Sequence, residues 1–500
     1  MNWKISGLIC GCIAVFLGLR IPFYAYDLPT SSEVGNTYLF DGYWYLAGAV
    51  DRILERPTES YSTVFSPLYT VLMYVWHRFA GVSQFTIRLA SSMWFLAGTI
   101  GASLAAYRIT NRRSAALTTF FVLCFSYQVW LYSRVPSAYS LSFALSGMVA
   151  WLLTMHPALS FGVLAVNGAL VRPHSVLAVA AFGARAWHRR FWRPLLVAGA
   201  VLTFTMFVLH QTGHLDFWTK ILPFTYIGQR AQIVGPEYVY YGFIQNRFFQ
   251  SDWVSFVALV YFIVILVPGR LHEARSAYLV WAVGALLVVM LFWYRPVRYF
   301  LDVRIPMAIL VGCFVVDEQS PKNRWSALLF VVGMQLLLVD DLVRAKAVLR
   351  EELVLFGMAS TVLVLAVWLA SARRAIVWGL VAGQFVLQVL SFQPHESTFA
   401  SAVDVLNNRI ESHAAVGGPY AHMLLMDRKD VRLVKHDFYS APSDFGCSDI
   451  ESQEVRYLLV APFHMQRIES FYPNLLPCIS RRMEVPFSRS SVLLYEVTRE

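Results

Sequence analysis

The sequence predicts a polytopic α-helical membrane protein of about 13 transmembrane helices, N-terminus inside, ending in a small soluble α/β domain outside. Three observations lead there. Hydrophobic residues make up 57% of the 500 and charged residues only 14%, where soluble domains carry roughly 25% charged residues. Apolar runs recur at about the length that crosses a bilayer, near 20 residues. Basic residues gather in short loops between those runs, on alternate ends, as the positive-inside rule requires. Topology therefore accounts for the net charge of +10, and nucleic acid is not expected as a partner.

The first helix runs from Ile5 to Tyr26 with Lys4 inside. No small-x-small cleavage site precedes Asp27, so it is read as a span and not as a signal peptide. The outer loop 27–87 follows, holding Asp27, Glu33, Asp41, Asp51, Glu55 and Glu59. Within it the apolar spacing predicts an amphipathic helix from Asp41 to Leu54 lying along the interface. Val64 to Ala80 is read as dipping into the outer interface and returning, because a full crossing would put Arg108, Arg112 and Arg113 outside.

Spans are then expected at Arg88 to Tyr107, Ala115 to Ser133 and Ser137 to Met155, after which two short helices meet at Arg172-Pro173. Past the basic group Arg185, Arg189, Arg190 and Arg193, a span from Pro194 to His210 leads to a second outer loop, 212–252. Further spans at Trp253 to Val267, Ala277 to Trp293 and Ile305 to Val316, two more crossings, and Ile376 to Phe392 complete a membrane module over 1–392.

From Gln393 the composition turns polar, which marks an outer domain over 393–500. Glu396 to His413 has helical spacing, with Phe399, Val403, Leu406 and Ile410 on one face. Strand-like runs follow at Met423 to Met426, Tyr457 to Val460 and Val492 to Val497. The six cysteines show no metal-ligand spacing. Four of them, Cys10, Cys12, Cys124 and Cys313, sit in apolar segments as packing residues. Cys447 and Cys478 lie in the polar domain, where an oxidising compartment permits a disulfide, but spacing alone does not bring them together. No Walker, dinucleotide-binding or zinc signature is present, so neither ATP-driven transport nor a cofactor is expected.

Charge is unequal between the two faces. Inside, it consists of loop Arg and Lys that topology explains. Outside, it collects where helices begin and end: Asp27, Glu33 and Asp41, then Arg88, Arg134, Arg172 and His174. Lys220, Arg230 and Arg247 follow in the second outer loop, and Arg295, Arg298 and Arg304 come later. Acids from one loop facing arginines from several others suit an anionic lipid-phosphate donor and a hydroxyl acceptor, because guanidinium matches phosphate oxygens and a carboxylate can take a proton. Asp41 also stands where a helix N-cap would, and Tyr43, Trp44 and Tyr45 are residues common at a membrane interface.

Asp41-x-x-x-Tyr45, placed in an outer loop after the first helix, resembles the acidic motif of the GT-C glycosyltransferases, which use polyprenyl-phosphate sugars. Further elements of that family are resembled in order: Ser66-Pro67-Leu68-Tyr69, Arg88-Leu-Ala-Ser-Ser, Tyr107-Arg108 with Arg112-Arg113, Leu170-Val171-Arg172-Pro173, and Arg298-Tyr299 with Pro306. The bacterial aminoarabinose and arabinofuranosyl transferases and the protein O-mannosyltransferases are the similar groups. Phe65 and Ser66 precede Pro67 where aminoarabinose and O-mannosyl transferases often have Lys-Pro, and Gly42 stands where an acidic partner is usual.

The resemblance implies a GT-C-like membrane fold and a transferase moving a sugar from a polyprenyl-phosphate donor to a glycan, lipid or protein hydroxyl on the outer face. The composition suggests a bacterial inner membrane with a periplasmic site, and an ER lumenal site has the same physics. The resemblance implies Asp41 as general base. Arg298, Arg172, Tyr299, Lys220 and Arg230 are expected around the donor phosphate, and Glu33, Asp27, Tyr45, His174 and Arg88 around substrate. No Asp-x-Asp occurs in the first loop, and no metal is expected. The rival readings are a flippase for polyprenyl-linked glycans, an O-antigen polymerase or ligase, and a scaffold with a decayed site.

Overall fold

The computed structural model describes residues 3–24, 41–57, 66–172, 277–282, 301–316, 398–434, 445–487 and 490–498, with five single helical positions at 200, 204, 208, 378 and 382. Two compact units emerge. The first takes in Met1–Leu17, Ser92–Ser133 and Tyr139–Gln393; the second takes in Gly18–Ser91, Arg134–Ala138 and Pro394–Glu500.

Among the described residues of the N-terminal half the helices include α1 (Trp3–Gly18), α2 (Asp41–Ile53), α3 (Pro67–Ala80), α4 (Gln84–Thr110), α5 (Arg113–Cys124), α6 (Tyr127–Tyr132), α7 (Ala138–Met155) and α8 (Pro157–Leu170). Helix α9 spans Leu301–Val316. Among the described residues α4, with 27 residues, and α7, with 18, are long and apolar enough to cross a bilayer.

Of the boundaries that differ from the sequence reading, three have a local cause or consequence. The first helix stops at Gly18 instead of reaching Tyr26, and a 3-10 turn at Ile21–Phe23 with Pro22 near its start replaces the last turns. Proline lacks the N–H that would continue an α-helix, so the shift to a tighter turn follows. The span expected over 115–133 is two helices. The Phe125 N–H closes the last turn of α5 on Phe121, and the Ser126 carbonyl accepts the Trp130 N–H that opens α6. Finally, α9 begins four residues before Ile305 and carries Pro306 inside it, so Arg304 is a helical residue and fully buried.

Glycines set the packing of the first unit. A Cβ on Gly98 of α4 would come within 2.5 Å of the Phe143 carbonyl on α7, and one on Gly101 within 2.5 Å of Gly147. The two backbones thus approach as closely as small residues allow, which is how helices associate without a water-driven force. Polar side chains add ties: Ser160 Oγ donates to the Val149 carbonyl (2.7 Å) and Tyr278 Oη to the Ala150 carbonyl (2.5 Å).

In the second unit, α10 (Thr398–Arg409) precedes a five-stranded sheet of order β2-β1-β3-β5-β4. The strands are β1 (Ala415–Gly417), β2 (Arg432–Val434), β3 (Val455–Val460), β4 (Ile479–Phe487) and β5 (Ser490–Val497). Strand β1 runs parallel to β2 and β3, whereas β5 is antiparallel to β3 and β4. The helical segments α11 (Ala421–Leu424), α12 (Cys447–Ser452) and α13 (Pro462–Phe471) lie between strands in the chain. Ile450, Leu458, Val460, Ile468, Leu475 and Leu493 form the core.

The run Met423 to Met426, expected as a strand, is instead the end of α11 and the turn after it, with all four residues buried. Met and Leu are good helix formers without β-branching, so local preference and burial agree there. Gly418 starts the turn into α11 at φ 105°, where a side chain would meet the Leu459 carbonyl. Cys447 and Cys478 are disulfide-bonded, with Cα atoms 5.8 Å apart. That decides between the two alternatives the spacing allowed.

Candidate functional site

Asp41 is the first residue of α2, which lies in the second unit. The helical spacing suggested one apolar face, but Tyr43, Trp44, Leu46, Ala47, Ala49, Val50 and Asp51 are all buried and Tyr45 is half-buried. The helix packs on α3 and also meets α11, so it is covered on nearly every side. Burial of its large apolar side chains contributes about 1.5–3 kcal/mol each. Helix α2 is therefore packed on most of its surface from Tyr43 to Asp51.

Hydrogen bonds fix α2 further. Tyr43 Oη donates to Gln84 Oε1 on α4 (3.0 Å), and Gln84 Nε2 donates to the Met423 carbonyl of α11 (3.2 Å). Burial pushes the Tyr43 hydroxyl pKa up, while the Arg88 guanidinium beside it opposes that rise. Arg88 is fully buried, donates to the Tyr24 carbonyl, and lies 5.1 Å from the centre of the Phe399 ring of α10. A cation in such a place has to be paired or hydrogen-bonded to persist. Beyond the end of α2, Arg56 holds Asp51 with Nε (2.9 Å) and Nη2 (2.6 Å), and its Nη1 donates to the Arg428 carbonyl (2.6 Å).

A polar groove of about 810 Å³ runs beside Arg56, lined by Glu55, Lys429, Asp430, Arg432 and Arg456 among others. Its charges are largely compensated by ion pairs: Arg432 with Glu454 at 3.6 Å, and Arg456 with Glu411. Glu55, His413 and Glu454 line it in the left-handed backbone region, at φ 57°, 66° and 55°.

In the first unit Arg172 follows α8 and is buried. Its guanidinium carbon sits 3.6 Å from the centre of the Tyr139 ring on α7. Of the other residues the sequence singled out, Asp27, Glu33, His174, Lys220, Arg230, Arg298 and Tyr299 lie outside the described residues. The structure adds buried groups that were not chosen as site residues: Arg20, Asp51, Arg56, Arg134 and Arg304. The signal of the four arginines was an arginine close to an apolar run, a pattern shared with every loop arginine of the chain. Among the described residues no three His, Cys, Asp or Glu side chains gather as a metal set would.

No family model and no curated protein matches the chain. Solved structures do, and the likeness is one of fold. In particular, the chain is similar to ArnT from Cupriavidus metallidurans in the apo state. That match has 13% identity and a TM-score of 0.62, covering 99% of this chain and 98% of that one. The same ArnT bound to undecaprenyl phosphate matches at 15% identity and a TM-score of 0.56, covering 98% of each chain.

Proposed function

We propose that the protein is a glycosyltransferase that moves a sugar from a polyprenyl-phosphate donor to an acceptor hydroxyl at the outer face of the membrane, with Asp41 as general base. The observation that carries this reading is a likeness spanning nearly the whole chain to a fold solved with undecaprenyl phosphate bound. The placement of Asp41 at the head of the buried helix α2 supports the assignment of the base.

In the proposed step the acceptor O–H proton passes to the Asp41 carboxylate while the acceptor oxygen bonds to the anomeric carbon. The bond from that carbon to the phosphate oxygen breaks, and its electron pair leaves with polyprenyl phosphate. Arg298 and Arg172 compensate the negative charge of the leaving group, with Tyr299, Lys220 and Arg230 near it. Glu33, Asp27, Tyr45 and His174 would contact sugar or acceptor. Arg88, expected around substrate, ties the Tyr24 segment, Tyr43 of α2 and Phe399 of α10 together by its described contacts.

The test is a donor-consumption assay. Purified protein is incubated with a panel of polyprenyl-phosphate sugars and membrane acceptors, and free polyprenyl phosphate is scored. Release with one donor is expected. Tight donor binding without release from any of them would replace this reading with a carrier of lipid-linked sugars.

A further inference from the structure

Arg172 belongs to a set of contacts between α7 and the end of α8, all within the first unit. Tyr139, Ser142 and Ser146 stand at i, i+3 and i+7 on α7, so they share one helix face. Asn167 of α8 is fully buried, and its Nδ2 donates to the Ser142 carbonyl (3.2 Å) and to Ser146 Oγ (3.3 Å). The Asn167 carbonyl in turn accepts the N–H groups of Val171 (3.1 Å) and Arg172 (2.8 Å). The chain is thereby fixed at the point where it leaves α8. From there the Arg172 side chain returns to the same face of α7 and lies over the Tyr139 ring at 3.6 Å, with both residues buried.

We infer that Tyr139 is a positioning residue, setting the plane of the Arg172 guanidinium for an anionic phosphate ester of a lipid donor. This rests on the donor class given under the proposed function. Stacking engages the face of the guanidinium, whereas its N–H groups all lie in the plane, the geometry that matches phosphate oxygens two at a time. The aromatic face also favours a cation in a desolvated place. Asn167 fixes where the backbone of Arg172 sits, and Tyr139 fixes how its head is turned.

The test measures binding of undecaprenyl phosphate to the full-length protein in nanodiscs, together with KM and kcat for the active donor. Tyr139→Leu should weaken binding on the order of ten- to thirtyfold and raise KM for the donor with little change in kcat. Tyr139→Phe, which keeps the ring, should recover affinity to within about twofold. A general packing defect would not separate Leu from Phe in KM alone. If Tyr139→Leu does not fold, Tyr139→Met removes the ring at similar length and serves in its place. Unchanged binding in the ring-less variant, with Arg172→Ala weakened, overturns the role of Tyr139 and leaves the donor reading intact. A wild-type protein that does not bind undecaprenyl phosphate overturns both.

Discussion

Arg56 grips Asp51 through two nitrogens of its guanidinium, at 2.9 and 2.6 Å, and uses the third on the carbonyl of Arg428, 372 residues away in sequence. Both side chains are 2% exposed. The pair joins the end of the helix that Asp41 begins to the turn after α11. Removing one partner leaves a buried charge without its counter-ion, at a cost of about 3–5 kcal/mol. Arg56→Met and Asp51→Leu alone should each lower the melting temperature of the solubilised protein markedly. The double variant should recover much of the loss, because apolar replacement of both partners removes the desolvation penalty. Equal loss in the single and double variants would contradict this account.

That clasp shows what the sequence could and could not disclose. The helix spacing from Asp41 to Leu54 marks an element that the structure bounds at Asp41–Ile53, because local periodicity is written in neighbouring residues. The runs 457–460 and 492–497 fall inside β3 and β5 for the same reason. Strands β1 and β2 have three residues each, too few to show alternation. The edge strand β4 carries Arg481, Arg482 and Glu484 and gives no apolar run; charges of this kind are what an exposed edge uses against mispairing. Asp51 was one more acid of the first outer loop, and nothing local marks Arg56 as its partner, because Arg56 is also anchored on the Arg428 carbonyl far along the chain. Tyr139 carries no signal of its own in the sequence, since its partner Arg172 comes 33 positions later.

Close approach of α4 and α7 gives a prediction about packing. A Cβ at Gly147 would lie 2.6 Å from the Gly98 Cα, with backbone in the way and not a flexible side-chain tip. Gly147→Val should cost about 1–3 kcal/mol through forced separation of the helices. It should show as a lower melting temperature and reduced monodispersity. A neutral Gly147→Val would mean that these helices do not pack at this distance.

The C-terminal part of the second unit carries an acid-sensitive tie. The Arg428 guanidinium holds the Asp430 carboxyl well below the ordinary aspartate value of 3.8, with partial burial opposing and Ser412 adding to the effect. A carboxyl with a depressed folded-state pKa adds stability above its unfolded value, and that stability is lost as pH falls toward the folded value. The wild type should therefore lose melting temperature below about pH 4. Asp430→Asn should start lower at neutral pH and lose less in acid. Parallel acid profiles for the two proteins would contradict the assignment.

Asp41 carries the central claim, and one comparison tests it most directly. Wild type and Asp41→Asn, prepared at equal yield and with equal donor affinity, are assayed for release of free polyprenyl phosphate from the active donor. The account predicts release by the wild type and loss of most turnover in the Asn variant, with binding intact. Turnover by Asp41→Asn at the wild-type rate would contradict it.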